Sequence, residues 1–441
     1  MDVRAPVAQG FDPLEKETIR RVAWRLTPLL VLGYFCAYLD RSNIGMAAPT
    51  MNHQLGFSGA IFGFGAGVFF FGYFLGEVPS NLFLNKVGAR RWISRILLTW
   101  GVVSALTAFV WNDSSFYVIR FLLGLAEAGF FPGAVLYMTW WFPSYYRARM
   151  VAIFQSAGTI SLIIGPPVGG LLLHLDGALG LAGWQWLLVI EGLPAMIMSV
   201  VTWRLLTDRP AEAAWLRPEQ RTWLTERLAS ERAQREAVRK FSLLEAFTHP
   251  RIWVLTMVVV GQQTGSYALL FFMPLIVRGL GVSTNMLGLV SALPYLFAFV
   301  AMISWGYHSD RTGERTWHVA SAFLLTAAGM AACIVIGPSH PYVTMVALIL
   351  TVIGNQCVPA TFWSLPTALL TGTAAAGGLA MINAVGALGG WFGPWVFGLV
   401  KDSTGSDNIA LLCLALAPIM SAVLVIAVGH DRRMERIPPR S

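Results

Sequence analysis

Four charged residues in otherwise apolar stretches of this chain have the types needed to bind an anion and to carry protons. Asp40 and Arg41 interrupt the first apolar stretch, and Arg120 and Glu127 interrupt the fourth. An ionisable side chain at the centre of a membrane helix costs roughly 2.5–3.5 kcal/mol, and such residues mark ion, proton or substrate pathways. Arginine keeps its charge and forks onto carboxylates, whereas a buried carboxyl can be neutralised by a proton. The arginines therefore predict an anion site, and the acids predict proton sites.

Helical spacing brings these residues onto common faces. Arg120 and Glu127 are seven residues apart, so in a helix they share one face, about 10 Å apart along the axis. Tyr38 and Arg41 share a face of the first helix in the same way. Charge compensation alone is an alternative. Asp40 would then pair with Arg120, and Arg41 with Glu127, to hold the helices in register.

The elements that must position these residues are membrane-spanning helices. Of the 441 residues, 56% are hydrophobic and 12% are charged, whereas a soluble protein carries about 25% charged residues. Apolar stretches of about 20 residues cross a bilayer as helices. We therefore predict an all-α membrane protein that contacts the lipid bilayer. Its twelve predicted spans are 22–48, 57–83, 92–111, 114–141, 150–174, 184–206, 251–277, 285–308, 317–337, 341–370, 375–400 and 408–429.

The positive charge follows the membrane topology rather than a nucleic-acid surface. The net charge is +8, and most basic residues fall in segments that lie inside if the N-terminus is cytoplasmic. The short outer loops hold Arg278 and Lys401. This asymmetry places both termini in the cytoplasm, and no basic patch with stacking aromatics indicates nucleic-acid binding. Because only four of the 31 basic residues are lysine, we expect a GC-rich bacterial genome and an inner-membrane location.

A polar segment and an internal repeat divide the chain. Residues 207–249 form a polar linker with an amphipathic helix that starts at Pro218. The linker separates an N-terminal six-helix half, 1–206, from a C-terminal six-helix half, 250–441. Two motifs each occur twice, in matching spans of the two halves, and the two copies are separated by nearly the same number of residues in both cases. This indicates parallel repeats with the substrate site between them. Since one chain contains both halves of the pathway, we expect a monomer. The repeated motifs are 85–90 with 310–315, and 165–166 with 393–394.

The loop motif after the eighth span has the form GxxxDRxGxR and resembles the signature of the major facilitator superfamily. Such a loop can act as a conformational latch, since glycine permits a tight turn and the acid can pair with arginine or a helix N-terminus. In the first copy Asn85 replaces the acid, which weakens a charge latch there. The predicted latch residues are Gly306, Asp310, Arg311, Gly313 and Arg315, with Gly88 and Arg90 in the first copy.

Further segments resemble the anion:cation symporter family within that superfamily. They are YLDRSNI at 38–44, GYFLGEVPSN at 72–81, RFLLGLAEAGFFPG at 120–133, and 362–394, which is similar to the tartrate and aromatic-acid permease branch. The resemblance implies that Asp40 and Glu127 carry protons while the neighbouring arginines hold the substrate carboxylate. Further candidates for the substrate pocket are polar or aromatic: Tyr38, Tyr73, Gln263, Tyr267, Trp363, Ser364 and Asn383.

These observations predict proton-coupled symport of a small organic anion into the cytoplasm by alternating access. Hydroxy acids, sugar acids and aromatic acids all remain open as substrates. The alternative is an exporter that works by proton antiport, because 161–170 is similar to the GxxxGPxxGG element of drug antiporters. That element can also serve only to bend and pack its helix. We expect no enzyme activity, no cofactor and no metal site, since no catalytic constellation or ligand spacing is present.

Overall fold

The computed structural model describes residues 13–237, 250–369 and 372–429, and this part of the chain contains no strand. Its helices before the linker are α1 (Pro13–Leu55), α2 (Gly59–Val87), α3 (Ala89–Leu106), α4 (Asp113–Glu127), α5 (Phe130–Trp141), α6 (Ser144–Leu172) and α7 (Gly183–Leu205). The linker contributes α8 (Pro218–Ala237). The helices after it are α9 (Pro250–Gly279), α10 (Thr284–Thr312), α11 (Thr316–Ile336), α12 (Pro341–Phe362), α13 (Ser364–Leu369), α14 (Gly372–Ala387), α15 (Gly389–Thr404) and α16 (Asp407–Val428).

Eleven stretches of the described chain are long and apolar enough to cross a membrane. The predicted span 375–400 is instead formed by two shorter helices, α14 and α15, which meet at Leu388. The predicted span 114–141 is also broken, because Gly129 adopts a φ of 88° between α4 and α5. A side chain at Gly129 would collide with Ser80, so this break lets α2 approach closely. The fold is the predicted all-α membrane bundle.

The helices α1–α7 are termed the first half and α9–α16 the second half. The halves meet along several helix pairs, of which the most extensive are α1 with α9, α2 with α15, and α6 with α10. Both Gly-Pro motifs lie in these seams. A Cβ at Gly63 of α2 would collide with the carbonyl oxygen of Pro394, and a Cβ at Gly288 of α10 with that of Pro166. The motifs in 161–170 and 393–394 are therefore close-packing elements between the halves.

One end of the bundle, the loop end, carries the α1–α2, α6–α7 and α9–α10 connections, which surround a pocket of ≈ 430 Å³. Contacts between the halves close this end of the bundle beside the pocket. Asp402 accepts hydrogen bonds from the backbone N–H of Gly59 at 2.8 Å and of Ala60 at 2.7 Å. His174 Nε2 and Asn285 Oδ1 lie 2.9 Å apart on the other seam. The structure is thus closed at the loop end.

The linker helix α8 packs at the opposite end. It starts at Pro218, and Leu224 on it is buried. Just before it, the Trp215 ring stacks on Trp141 with ring centroids 5.5 Å apart, and the Arg25 guanidinium lies 5.1 Å from the same ring. These contacts join the linker to the first half, while residues 238–249 lie outside the described chain.

Candidate functional site

Arg41 is the centre of the candidate site. Its Nη2 lies 2.5 Å from Glu127 Oε1, which joins α1 to α4. Its Nη1 donates a 3.0 Å hydrogen bond to the Tyr267 hydroxyl on α9, so the same guanidinium also contacts the second half. Arg41 is 7% exposed and Glu127 is 1% exposed. A charge-assisted bond in so dry a place is strong, and removing either partner leaves an unpaired charge.

Aromatic rings surround the Arg41 guanidinium. Ring centroids of Tyr38, Phe69 and Tyr73 lie 5.3, 5.4 and 5.4 Å from its central carbon, respectively. Rings at these distances attract a cation through their π faces and exclude water. The predicted site residues Tyr38, Tyr73 and Tyr267 are therefore brought together around this arginine.

Asp40 points away from its neighbour Arg41 into a separate network. It accepts hydrogen bonds of 3.1 Å from both Asn43 Nδ2 and Trp100 Nε1, and one from the Ser104 hydroxyl. All three donors are in the first half. Asp40 is held by neutral donors from α1 and α3, so its carboxyl needs no arginine partner to stay in place.

Arg120 has no direct bond to an acid in the described part of the chain. Its Nη2 donates to the carbonyl oxygen of Ala66 at 3.3 Å, and its guanidinium lies 5.2 Å from the Phe69 ring. Asp40 is close enough to Arg120 for a Coulomb interaction. Of the two pairs in the charge-compensation alternative, Arg41–Glu127 is a direct contact and Asp40–Arg120 acts only at longer range.

The remaining pocket candidates are all in the second half. Gln263 is half-buried one turn before Tyr267. Trp363 and Ser364 stand at the junction of α12 and α13, where the Ser364 hydroxyl donates to the carbonyl oxygen of Thr361 at 2.6 Å. Asn383 on α14 donates from Nδ2 to Glu77 Oε1 at 3.3 Å and so reaches across to the first half.

Two buried acids escaped the sequence analysis, Glu77 on α2 and Glu191 on α7. They are 5% and 3% exposed, and Oε2 of each is buried without a hydrogen-bond partner in the described chain. Both lie in predicted spans, so the criterion that selected Asp40 would have found them. Among the described residues the buried charged set is Asp40, Glu77, Glu127, Glu191, Arg41 and Arg120, all in the first half.

The loop motif between α10 and α11 forms a compact network of polar contacts. Arg315 Nη1 lies 2.7 Å from Asp310 Oδ1 and donates to the Ser309 hydroxyl at 3.0 Å. Gly313 ends α10 with a φ of 64°, the left-handed conformation that glycine adopts readily. The other two predicted latch residues are Gly306, which lies opposite Ala360, and Arg311, which is exposed.

Glu314, which is not one of the predicted latch residues, caps the start of α11. Its carboxylate accepts from the backbone N–H of Trp317 at 2.8 Å and of His318 at 3.1 Å. His318 Nδ1 lies 2.9 Å from the same carboxylate. Partial burial acts to raise the pKa of Glu314, but these hydrogen bonds outweigh it and lower the pKa below its usual value.

At the first copy of the motif, an acid from elsewhere in the chain contacts the start of α3. Gly88 has a φ of 95° between α2 and α3, and the backbone N–H of Arg90 donates to Asp208 at 2.8 Å. Arg90 Nε donates to the carbonyl oxygen of Trp203 at 2.5 Å. Asp208 therefore caps the start of α3 through a backbone N–H, whereas Asp310 in the second copy pairs with the Arg315 guanidinium.

Comparisons with known proteins agree with this architecture. The family model of the Major Facilitator Superfamily matches residues 30–430. The protein named "Putative tartrate transporter" from Agrobacterium vitis is 48% identical over 95% of this chain and 93% of its own length. The "Quinolone resistance transporter" of Acinetobacter baumannii is 38% identical over 94% of this chain and 95% of its own length.

Among solved structures, a bacterial homologue of the human lysosomal transporter Spinster has the same fold. Its TM-score is 0.76 at 16% identity, with 98% of this chain and 100% of that chain covered. The relatives and the fold are those of transporters and not of enzymes. The match to the family model and the identity to curated relatives agree with the motifs of the sequence. This chain is a membrane transporter that belongs to the major facilitator superfamily and fits its anion:cation symporter branch.

Proposed function

We propose that this protein carries a small organic anion together with protons into the cytoplasm. The observation that carries the proposal is the composition of the buried charged set, in which four acids accompany two arginines. A buried charge without a partner is strongly unfavourable. The acids in excess must therefore be protonated when the set is dry, and they can release those protons when water reaches them.

The bond between Arg41 and Glu127 supports a simple exchange at the site. While Glu127 is ionised, it occupies the guanidinium fork that a substrate carboxylate requires. A proton on Glu127 neutralises that acid, and the fork then becomes available to an incoming carboxylate. Arg120 supplies a second permanent positive charge, and Asp40 is a second carboxyl that protonation can neutralise. Proton and anion would thus bind in support of each other.

The contact between Tyr267 and Arg41 supports alternating access, because it joins the second half to the arginine that would hold the anion. The halves would rock about this site. The positive-inside asymmetry assigns the loop end to the outside and both termini to the cytoplasm. With the loop end sealed by Asp402, the conformation described here is closed towards the outside. We propose a monomer in a bacterial inner membrane.

Tartrate-like hydroxy acids are the first substrates to test, since a relative with 48% identity carries the name of a tartrate transporter. Carboxylates without hydroxyl groups and aromatic acids belong in the same panel, because aromatic rings line Arg41. Two buried arginines suit an anion, and the rings accommodate its uncharged part. Sugar acids combine a carboxylate with many hydroxyl groups and complete the panel.

The second candidate function is proton-coupled export of a small molecule. It is favoured by the relative named a quinolone resistance transporter. The antiporter-like element in 161–170 gives it less support, because that element packs against Gly288 in the seam between the halves. Quinolones therefore belong in the transport assay as a competing class.

The test is uptake into proteoliposomes with an imposed inward proton gradient. Tartrate, succinate, gluconate and benzoate are offered as radiolabelled probes, and a quinolone is offered under the opposite gradient. We expect at least one carboxylate to accumulate above its external concentration and to leak out when a protonophore is added. Accumulation of no carboxylate, together with proton-driven quinolone transport, would replace the symport proposal with the export one.

A further inference from the structure

We propose that Glu77 is a third proton-carrying carboxyl and that its bond to Asn383 links its protonation to the contact between the halves. This inference rests on the proposed function and extends it to a residue that the motifs do not single out. Four observations carry it: the position of Glu77 in the seam, its unpartnered oxygen, its bond to the second half, and its nearness to Arg41.

Glu77 lies at the inner end of the α2 seam. From the loop end inward, Gly59 contacts Asp402, Gly63 contacts Pro394, and Gly67 contacts Trp391. The register continues to Phe70 against Gly390 and ends at Glu77 with Asn383. These contacts cover about 27 Å of α2 at the helical rise per residue. The Glu77–Asn383 bond therefore stands where the sealed seam gives way to the opposite end of the bundle.

The hydrogen bonds of Glu77 fit a protonated carboxyl. Oε1 accepts from Asn383 Nδ2 at 3.3 Å, as a carbonyl oxygen does. Oε2 is buried without a partner in the described chain, as is Oε2 of Glu127, but Glu127 has the Arg41 cation on its other oxygen whereas Glu77 has only an amide. An ionised Glu77 would therefore be an unpaired buried charge. Both arginines have other contacts, Arg41 with Glu127 and Arg120 with Ala66. With a proton on Oε2, the seam contains no unpaired charge at this point.

Glu77 differs from the two acids of the motif segments in its bonding. Asp40 is hydrogen-bonded to Asn43, Trp100 and Ser104, and Glu127 to Arg41, all of which are in the first half. Within the described hydrogen bonds, Glu77 is the buried acid that bonds directly to the second half. Its protonation state therefore affects the contact between the two halves, as coupling of protonation to alternating access requires.

The site connects to the anion through Tyr73. Glu77 follows Tyr73 by one helical turn, about 6 Å along α2, and the Tyr73 ring lies 5.4 Å from the Arg41 guanidinium. When water enters from the end opposite the loop end, Glu77 can release its proton to that water and become a carboxylate. The new negative charge opposes an anion on Arg41 and promotes its release, so proton and anion leave on the same side.

The experiment measures the proton-to-anion ratio in proteoliposomes by opposing a proton gradient with a tartrate gradient until net flux is zero. If tartrate is not carried, the panel acid with the fastest uptake replaces it. In Glu77→Gln, whose side chain is permanently neutral, we expect tartrate counterflow to persist and the ratio to fall by about one proton. Glu219→Gln, at an exposed position of the linker helix α8, is the matched control and keeps the wild-type ratio.

An unchanged ratio in Glu77→Gln with intact counterflow overturns the proposal. If Glu77→Gln shows no counterflow, Asn383→Ala decides the matter, since it keeps the titrating carboxyl and removes its link to the second half. We then expect proton uptake in the absence of tartrate, and tight coupling in this variant would overturn the proposal. A wild-type protein that carries the anion without protons contradicts the proposed function itself, which is a separate outcome.

Discussion

The Arg41 guanidinium lies 2.5 Å from the Glu127 carboxylate and 3.0 Å from the Tyr267 hydroxyl, so one residue joins α1, α4 and the second half of the protein. This relationship makes Glu127 the natural competitor of a substrate carboxylate. It also explains why an acid belongs in an anion site. The acid fills the arginine fork when no anion is bound, and a proton removes it from competition.

Glu127→Gln should separate anion exchange from proton-driven accumulation. The amide can still accept a hydrogen bond from Arg41 but carries no charge, so the anion no longer needs a proton in order to bind. We expect counterflow to persist while accumulation under a proton gradient falls roughly 10- to 100-fold, within the range of typical coupling free energies. Normal accumulation by this variant would remove Glu127 from the coupling role.

Arg41→Lys should weaken anion binding without unfolding the site. Lysine keeps the positive charge but loses the planar fork that binds both carboxylate oxygens. A hydrogen bond to a charged group contributes about 1.5–3 kcal/mol, so we expect the transport KM to rise about 10- to 100-fold. The matched control is Arg91→Lys at an exposed position, which should leave KM unchanged. Equal KM values for Arg41→Lys and Arg91→Lys would indicate that the anion does not bind at Arg41.

Asp402→Asn should loosen the closed loop end. Asp402 caps the N-terminus of α2 from the other half through two backbone N–H groups, and a cap of this kind contributes about 1 kcal/mol. We expect the ratio of open to closed loop ends to rise about fivefold. Spin labels at His53 and Ser403 would report this as a longer distance in double electron–electron resonance.

The control for this variant is Asp407→Asn. Asp407 lies at the same end but pairs with Lys401 of its own half at 2.7 Å, so its loss should leave the label distance unchanged. Equal distance changes in the two variants would show that surface charge, rather than the cap between the halves, governs closure.

Acid should loosen the start of α11. The pKa of Glu314 is lowered because its carboxylate accepts hydrogen bonds from Trp317 and His318. A lowered pKa means that this stabilisation is complete above the ordinary glutamate value of about 4.3 and is lost as pH falls through the folded-state pKa. Hydrogen exchange near His318 should accelerate in that window. Glu314→Gln should exchange quickly at neutral pH, and slow exchange there would contradict the cap.

Much of this architecture could be predicted from the sequence because apolar length and helical spacing are local properties. The spacing of Arg120 and Glu127 put both on one helix face, and both are buried on α4. The break of α4 at Gly129 was missed, since an unbroken apolar run does not reveal the close approach of Ser80. The two-helix form of 375–400 was missed for a similar reason, as it depends on packing along the seam.

Sequence motifs do not identify contacts between residues that are far apart in the chain. Asp208 caps the start of α3 at Arg90 although 118 residues separate the two, and no spacing rule connects them. Glu77, in contrast, can be identified from the sequence alone, because it is an acid within the apolar segment GYFLGEVPSN. The cost of a charge in an apolar span applies to Glu77 as it does to Asp40, and it marks this acid as a candidate without any motif.

The central claim is that the anion and protons move in the same direction, and proton movement driven by the anion tests it most directly. Proteoliposomes with a pH-sensitive dye inside and no imposed gradient receive an external pulse of tartrate, or of the panel acid with the fastest uptake. The account predicts acidification of the interior that depends on the anion and is absent from protein-free liposomes and from the Asp40→Asn, Glu127→Gln double variant. Anion uptake with an unchanged or more alkaline interior would contradict it.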